Sequence, residues 1–378
     1  MMRAMSIYIV LFMVLCGPWA LAQTTLNPDL SLVGDFRMFS HDDSTRADEK
    51  ERFNLASPEM ELMVGGYLNP YARADAVIAW EGEETAEIEE LYATILRGLP
   101  LGTNLRVGKY LLEFGRLNPV HPHAWSFLQR PLPQASFFGD HGLNDMAVRA
   151  SFILPTGAAY TELMMAVTKG DALLGHHHDE EAAAEKHAED DEERVNPGFF
   201  GRMTTSFAVA DASELALGAS LVNSVYEREE AEEEGLADRQ LRATIIGGDI
   251  KYKYRPSRYT AVQIEAEGLV RSEEQSDDNT ITSCGGYGYV DYRFRQRYNI
   301  GGIYEYLAQK ELMEGEESPV ETTHTSWRAG VFIGFAPVEE TSLLRLTGHW
   351  TREEGRDGYW EGILQLVISL GSHQPHNF

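Results

Sequence analysis

The chain has 378 residues, a formal net charge of −27 at pH 7 and a sequence pI of about 4.8. So large an acidic excess excludes nucleic acid as a natural partner, because it repels a polyphosphate backbone. Of its 2 cysteines, Cys16 falls in a segment expected to be removed on export, so the mature fold must hold without an intramolecular disulfide.

In chain order, MMRAMSIYIVLFMVLCGPWALAQ opens with Arg3, runs apolar from Ile7 to Leu15, breaks at Gly17-Pro18 and ends in the A-x-A motif Ala20-Leu21-Ala22. This is the pattern of a secretory signal peptide over residues 1–22, which leaves 23–378 as one mature domain. The apolar run is shorter than the roughly 20 residues of a spanning helix, and no later segment reaches that length.

The mature chain is a series of about sixteen strand-like units. They lie near residues 30–39, 58–67, 70–80, 87–96, 104–114, 144–154, 158–168, 198–209, 213–224, 240–254, 259–270, 282–295, 298–308, 324–336, 340–351 and 360–370. Within them apolar and polar residues alternate. In AVQIEAEGL, Val262, Ile264 and Ala266 oppose Gln263, Glu265 and Glu267, and in TSLLRLTGHW, Leu344, Leu346 and Trp350 oppose Arg345, Thr347 and His349. Odd units are followed by long polar segments and even units by short turns such as LNP, GLPLG, PTGA, ADAS, RPSR and APVEE.

A soluble sandwich does not sort its loops by parity. The pattern predicts an all-β fold, a transmembrane antiparallel β-barrel with short periplasmic turns and long extracellular loops. Closure pairs every backbone polar group without an edge, so the fold needs neither cysteines nor a packed interior. Trp80, Tyr254, Tyr259, Trp327, Trp350 and Trp360 suit interfacial girdles. About sixteen strands also leave a lumen wide enough for water.

Two long connections stand apart. Residues 115–143, GRLNPVHPHAWSFLQRPLPQASFFGDHGL, carry apolar surface that favours burial, which predicts an inward loop constricting the pore. Arg116, His121, His123, Trp125, Arg130 and His141 are its candidate constriction residues, with Arg116 and Arg130 expected to pair with wall carboxylates. His-Pro-His reads equally as a rigid turn that packs the loop. Residues 169–197 form an extracellular loop containing GHHHDEEAAAEKHAEDDEE. His176, His177, His178, Asp179, Glu180 and His187 offer imidazole and carboxylate ligands for Zn²⁺ or another divalent cation, with no fixed site motif. The alternative is a solvated acidic loop that bridges lipopolysaccharide through divalent cations. No cofactor is required.

On the wall, Lys251, Lys253, Arg255, Arg293 and Arg295 are expected to face the lumen near the periplasmic end, opposite Glu265, Glu267 and Asp291. No nucleotide-binding glycine motif, zinc-enzyme HExxH or nucleophile spacing is present, so no enzyme is expected.

DLSLVGDFR, LNPYARADAVIAW, the stretch EIEELYATILRGLPLGTNLRVGKYLLEFGRLNPVHPHAW and the ending ISLGSHQPHNF resemble zinc-regulated outer-membrane porins or receptors of Gram-negative bacteria, loosely related to phosphate-selective porins. The resemblance implies a shared loop role for Gly115, Arg116, Asn118, His121, Pro122 and His123. The expected function is passive diffusion of small hydrophilic solutes, favouring cations and divalent metals such as zinc gathered by the acidic, His-rich loop. The alternatives are a metal-binding receptor or adhesion-type barrel with a plugged channel, or an anion- or phosphate-selective porin. The expected surroundings are outer-membrane lipid and lipopolysaccharide, with a homotrimer as the candidate assembly.

Overall fold

The alternation read along the chain becomes a closed wall of sixteen antiparallel strands in a computed structural model that describes residues 28–82, 85–170, 173, 196–228, 239–276, 279–313, 320–338 and 341–371. The strands are β1 (Asp29–His41), β2 (Glu59–Asn69), β3 (Ala72–Glu81), β4 (Glu87–Ile95), β5 (Asn104–Leu111), β6 (Asn144–Leu154), β7 (Tyr160–Thr168) and β8 (Gly198–Ala210). They continue as β9 (Ser213–Arg228), β10 (Arg239–Ser257), β11 (Thr260–Ser276), β12 (Asn279–Phe294), β13 (Tyr298–Met313), β14 (Val320–Val338), β15 (Ser342–Glu353) and β16 (Tyr359–Gly371). Each pairs with its sequence neighbours, and β1 closes the cylinder by pairing β16 from Ser31↔Gly371 to His41↔Glu361 and β2 from Asp29↔Gly65 to Asp35↔Glu59. The two-residue segment Asn54–Leu55 adds a short ladder to β1 near its loop end. The expected signal peptide and all six His/Asp/Glu candidates between residues 176 and 187 lie outside the described residues.

Period-2 alternation sorts the side chains by face. On β15, Leu344, Leu346 and Trp350 are exposed on the outer face while Arg345, Thr347 and His349 are buried on the inner one. Such an apolar exterior is unfavourable in water and favourable in lipid. Tyr254, Tyr259, Trp350 and Trp360 are exposed outward, whereas Trp80 and Trp327 are half-buried. Near the turn end Tyr292, Phe294, Tyr298 and Phe335 stack in one row across β12, β13 and β14, with centroid spacings of 5.6, 5.3 and 5.0 Å. Arg295 is a correction to the strand reading: it sits exposed in the β12–β13 turn, where it and Gln296 have φ of +52° and +64°, the two positive values of a tight hairpin turn.

The interior also departs from expectation, because it is packed. One apolar cluster gathers Leu112, Phe114, Phe137, Phe138 and Leu143 against wall residues including Phe200, Leu241, Ile245 and Leu269. A second gathers Leu117, Trp125 and Phe127 against Tyr287, Tyr289, Ile303 and Phe332. β10 shows why: in ATIIGGD, Ala243 and Ile245 are buried inward while Ile246 is exposed outward, so apolar residues occupy both faces there. An all-polar lumen would have left the aromatic segment after β5 without a partner.

Candidate functional site: the lumen and its inward segment

The segment between β5 and β6 leaves the wall at Leu112 and returns at Leu143. Asn118 clasps its two ends. Its side-chain amide donates to the carbonyls of Leu112 at 2.7 Å and Leu143 at 3.1 Å, and its Oδ1 accepts the Leu143 N–H at 2.8 Å. Gly115 turns the chain inward with φ of +60°, and a Cβ there would run into the Glu267 carboxylate. Pro122–Ala124 forms a single 3₁₀ turn, and Leu132–Phe138 forms a short helix, α1.

Once inside, the segment bonds to wall strands on opposite sides of the barrel. Arg116 Nε lies 2.6 Å from Asp249 on β10, Ser126 donates to Asp291 on β12 at 2.8 Å, and the Leu132 N–H donates to Glu305 on β13 at 2.8 Å. From β14, Arg328 donates to Gln129 Oε1 and to the Arg130 carbonyl, each at 2.7 Å, while its own fork holds Glu305 at 3.0 and 2.8 Å. Arg345 on β15 donates to the carbonyls of Trp125 and Phe127, and Gln129 donates to Glu361 on β16. On the far side His123 Nδ1 is 3.3 Å from Glu61 on β2, and His121 faces Glu89 and Glu90 on β4.

Trp125 is buried under the Arg130 guanidinium, 5.1 Å above its ring, and Arg130 donates to the Asp140 carbonyl instead of to a wall carboxylate. Burial lowers the Arg130 pKa to about 10, with Asp140 and Glu89 opposing that shift. His141 is exposed at the tail of the segment. For His121, burial disfavours the imidazolium, but Glu61, Glu90 and Glu89 together raise its pKa to about 10.

Apart from Arg295, the wall residues read from the sequence fall on the inner face, several of them in pairs. Lys251 Nζ is 2.8 Å from Glu265, which also accepts the Tyr289 hydroxyl, and Glu267 accepts the Tyr287 hydroxyl. Asp291, fully buried, binds Arg293 at 2.8 Å besides Ser126. Between this layer and the turn end lies a cavity of 430 Å³, roofed by His123, Trp125 and Ser126. Lys253, Arg255, Arg258, Arg293, Arg297 and Arg345 line it, and Asp291 is the carboxylate among its lining residues. In a low-dielectric cylinder such a collar concentrates anions.

Sequence reasoning missed Glu61, Glu89, Glu90, Asp249, Glu305 and Arg328. Most of them sit on the polar parity of their strands, so alternation carried a signal, but which of them meet the segment is a tertiary fact. Glu89 and Glu90 carried the opposite signal, since neighbours on a regular strand face apart. A β-bulge resolves it: Val77 pairs Glu90 and Ile78 pairs Ile88, leaving Glu89 as the extra residue, and both carboxylates become largely buried. The loosened backbone is satisfied by the Asn144 side chain donating to the Glu89 carbonyl at 2.8 Å and by the Leu111 N–H donating to Glu90 Oε1 at 2.9 Å.

No family model matches the chain. An uncharacterized protein of Aquifex aeolicus is 28% identical over 349 residues, covering 88% of this chain and 71% of that protein. Among solved structures, OmpT, an outer membrane protein of Vibrio cholerae in a trimer form, superposes with a TM-score of 0.56 at 8% identity, covering 91% of this chain and 99% of that one. An anion-selective porin from Comamonas acidovorans gives 0.56 at 8% identity, with coverages of 91% and 99%. The outer membrane channel DcaP of Acinetobacter baumannii gives 0.51 at 10%, with coverages of 92% and 96%. Identities this low establish the architecture alone, and that architecture is the sixteen-strand barrel of Gram-negative outer-membrane porins and channels.

Proposed function

We propose that the chain is an outer-membrane porin that passes small hydrophilic solutes by diffusion, with the segment between β5 and β6 as its constriction. The observation that carries this reading is an inner wall rich in charged side chains, with a 430 Å³ cavity between the inward segment and the residues of the turn end. In this reading the short turns face the periplasm and the acidic connections face outside, as the parity of the connections suggests. The cation preference read from those connections, and Zn²⁺ capture by His176, His177, His178, Asp179, Glu180 and His187, are part of the proposal. Zn²⁺ titration with and without residues 175–193 tests the capture.

A second reading is favoured by the basic vestibule collar, which suits an anionic solute at the periplasmic end. Reversal potentials across a planar bilayer in a KCl gradient separate the two. Cation-positive values support the first, anion-positive values the second, and a correctly folded barrel that carries no current overturns both in favour of a plugged receptor. The homotrimer belongs to the same proposal; crosslinking in native membranes tests it.

A further inference from the structure

We propose that Glu61, Glu89 and His121 form a binding site for one divalent transition-metal ion of the zinc type inside the barrel, separate from the His-rich outer loop. One ligand atom from each of the three lies within 4.8 Å of the others. His121 Nδ1 is 3.5 Å from Glu61 Oε2 and 3.5 Å from Glu89 Oε2. These separations are too long for hydrogen bonds, and both His121 Nδ1 and Glu89 Oε2 are buried atoms that make none. They match a different geometry. A tetrahedral ion with bonds of about 2.0–2.2 Å has ligand-to-ligand edges of roughly 3.4 Å.

The surroundings are those of a built site. Glu61 and Glu89 come from β2 and β4, which are not neighbours, so their convergence requires side chains leaning across β3. The bulge at Glu89 supplies that lean. His121 is delivered by the segment with an extended backbone, φ of −62° and ψ of 143°, the conformation that the following Pro122 enforces. Its other ring nitrogen, Nε2, faces Glu90 Oε2 at 3.8 Å, and His123 Nδ1 lies 3.3 Å from the second oxygen of Glu61. The His123 contact on the free oxygen of a ligating carboxylate is the kind of support that orients metal ligands.

Imidazole with two carboxylates selects zinc-like ions over calcium or magnesium, which take oxygen alone. Three protein ligands leave a fourth position open, so the ion would exchange with solution instead of being held as a structural staple. The competing reading is a purely ionic cluster in which a protonated His121 is shared among three carboxylates. The site does not depend on whether the lumen conducts, so a barrel without current leaves it standing.

The test uses the full chain refolded in detergent. Crystals equilibrated with ZnCl₂ are measured at the zinc edge, and bound zinc per chain is counted in solution for wild type, Glu89→Gln and His121→Asn, with folding checked by the gel mobility of the unheated barrel. The expected results are an anomalous peak bonded to His121 Nδ1 and one oxygen each of Glu61 and Glu89, and one zinc fewer in each folded variant. An empty position between the three residues at saturating zinc overturns the proposal, as does unchanged stoichiometry in the folded variants. Should neither variant fold, the wild-type anomalous map decides.

Discussion

Arg328 is one of the two wall arginines that donate twice to the inward segment, and its replacement separates anchoring from bulk stability. The side chain is 10% exposed and donates two bonds to the segment, to Gln129 Oε1 and the Arg130 carbonyl, and two to Glu305, which is 1% exposed. In Arg328→Met the two bonds to the segment disappear; at ~0.5–1.5 kcal/mol each they hold it by about 1–3 kcal/mol. That corresponds to roughly a 5- to 150-fold rise in the released population. The bonds to Glu305 carry a separate cost, since a buried carboxylate stripped of its cation destabilises a fold by about 3–5 kcal/mol.

The assay is thiol labelling at Leu128→Cys, a buried position beside Gln129, on a Cys284→Ser background. Arg328→Met accelerates labelling within the 5- to 150-fold range and lowers the thermal midpoint. Arg328→Lys keeps the charge but not the fork and falls between the two. Arg328→Met with Glu305→Leu labels faster still, because the Leu132 N–H also loses its acceptor, while the midpoint recovers only in part as the stranded charge is relieved. Labelling of Arg328→Met at the parental rate would refute the anchoring argument.

Three further outcomes are expected. Phe127, whose ring lies 5.1 Å from Tyr289 and 6.2 Å from Phe332, is the hub of the second interior cluster, so Phe127→Ala costs about 3–5 kcal/mol in urea unfolding from liposomes; a loss below about 1 kcal/mol means the segment is not packed there. Gly115→Ala and Gly157→Ala both place a side chain at positive φ, at a backbone cost of ~1–2 kcal/mol, but only Gly115 faces Glu267, so its thermal midpoint falls further than that of Gly157→Ala. Val331→Lys, at a β14 position 65% exposed on the outer face, costs roughly 2–4 kcal/mol in a bilayer and little in a soluble fold, so an unchanged bilayer stability argues against lipid contact at that position.

The wall was legible because a barrel strand writes its environment into a period of two. Leu344, Leu346 and Trp350 against Arg345, Thr347 and His349 read the same in sequence as in structure. The parity of loop lengths carried the topology for a similar reason, as hairpins need few residues at one end and leave the other free. The site was legible only in part. Aromatic content told that residues 115–143 seek burial, and the segment does pack inside, yet its partners lie far along the chain: Trp125 and Arg345 are 220 positions apart, Gln129 and Glu361 232.

The sequence alone determined how many strands close the cylinder and, where the alternation is strict, which face of a strand points outward, since both follow from local alternation and turn spacing. Only the tertiary structure decided where the inward segment docks and which wall residues hold it. Whether Glu89 turns inward depends on a one-residue slip between β3 and β4, and whether it meets His121 depends on how Asn118 and Gly115 swing a distant segment across the lumen. Alternation cannot encode either, because a bulge breaks the period and a contact across a barrel has no period at all.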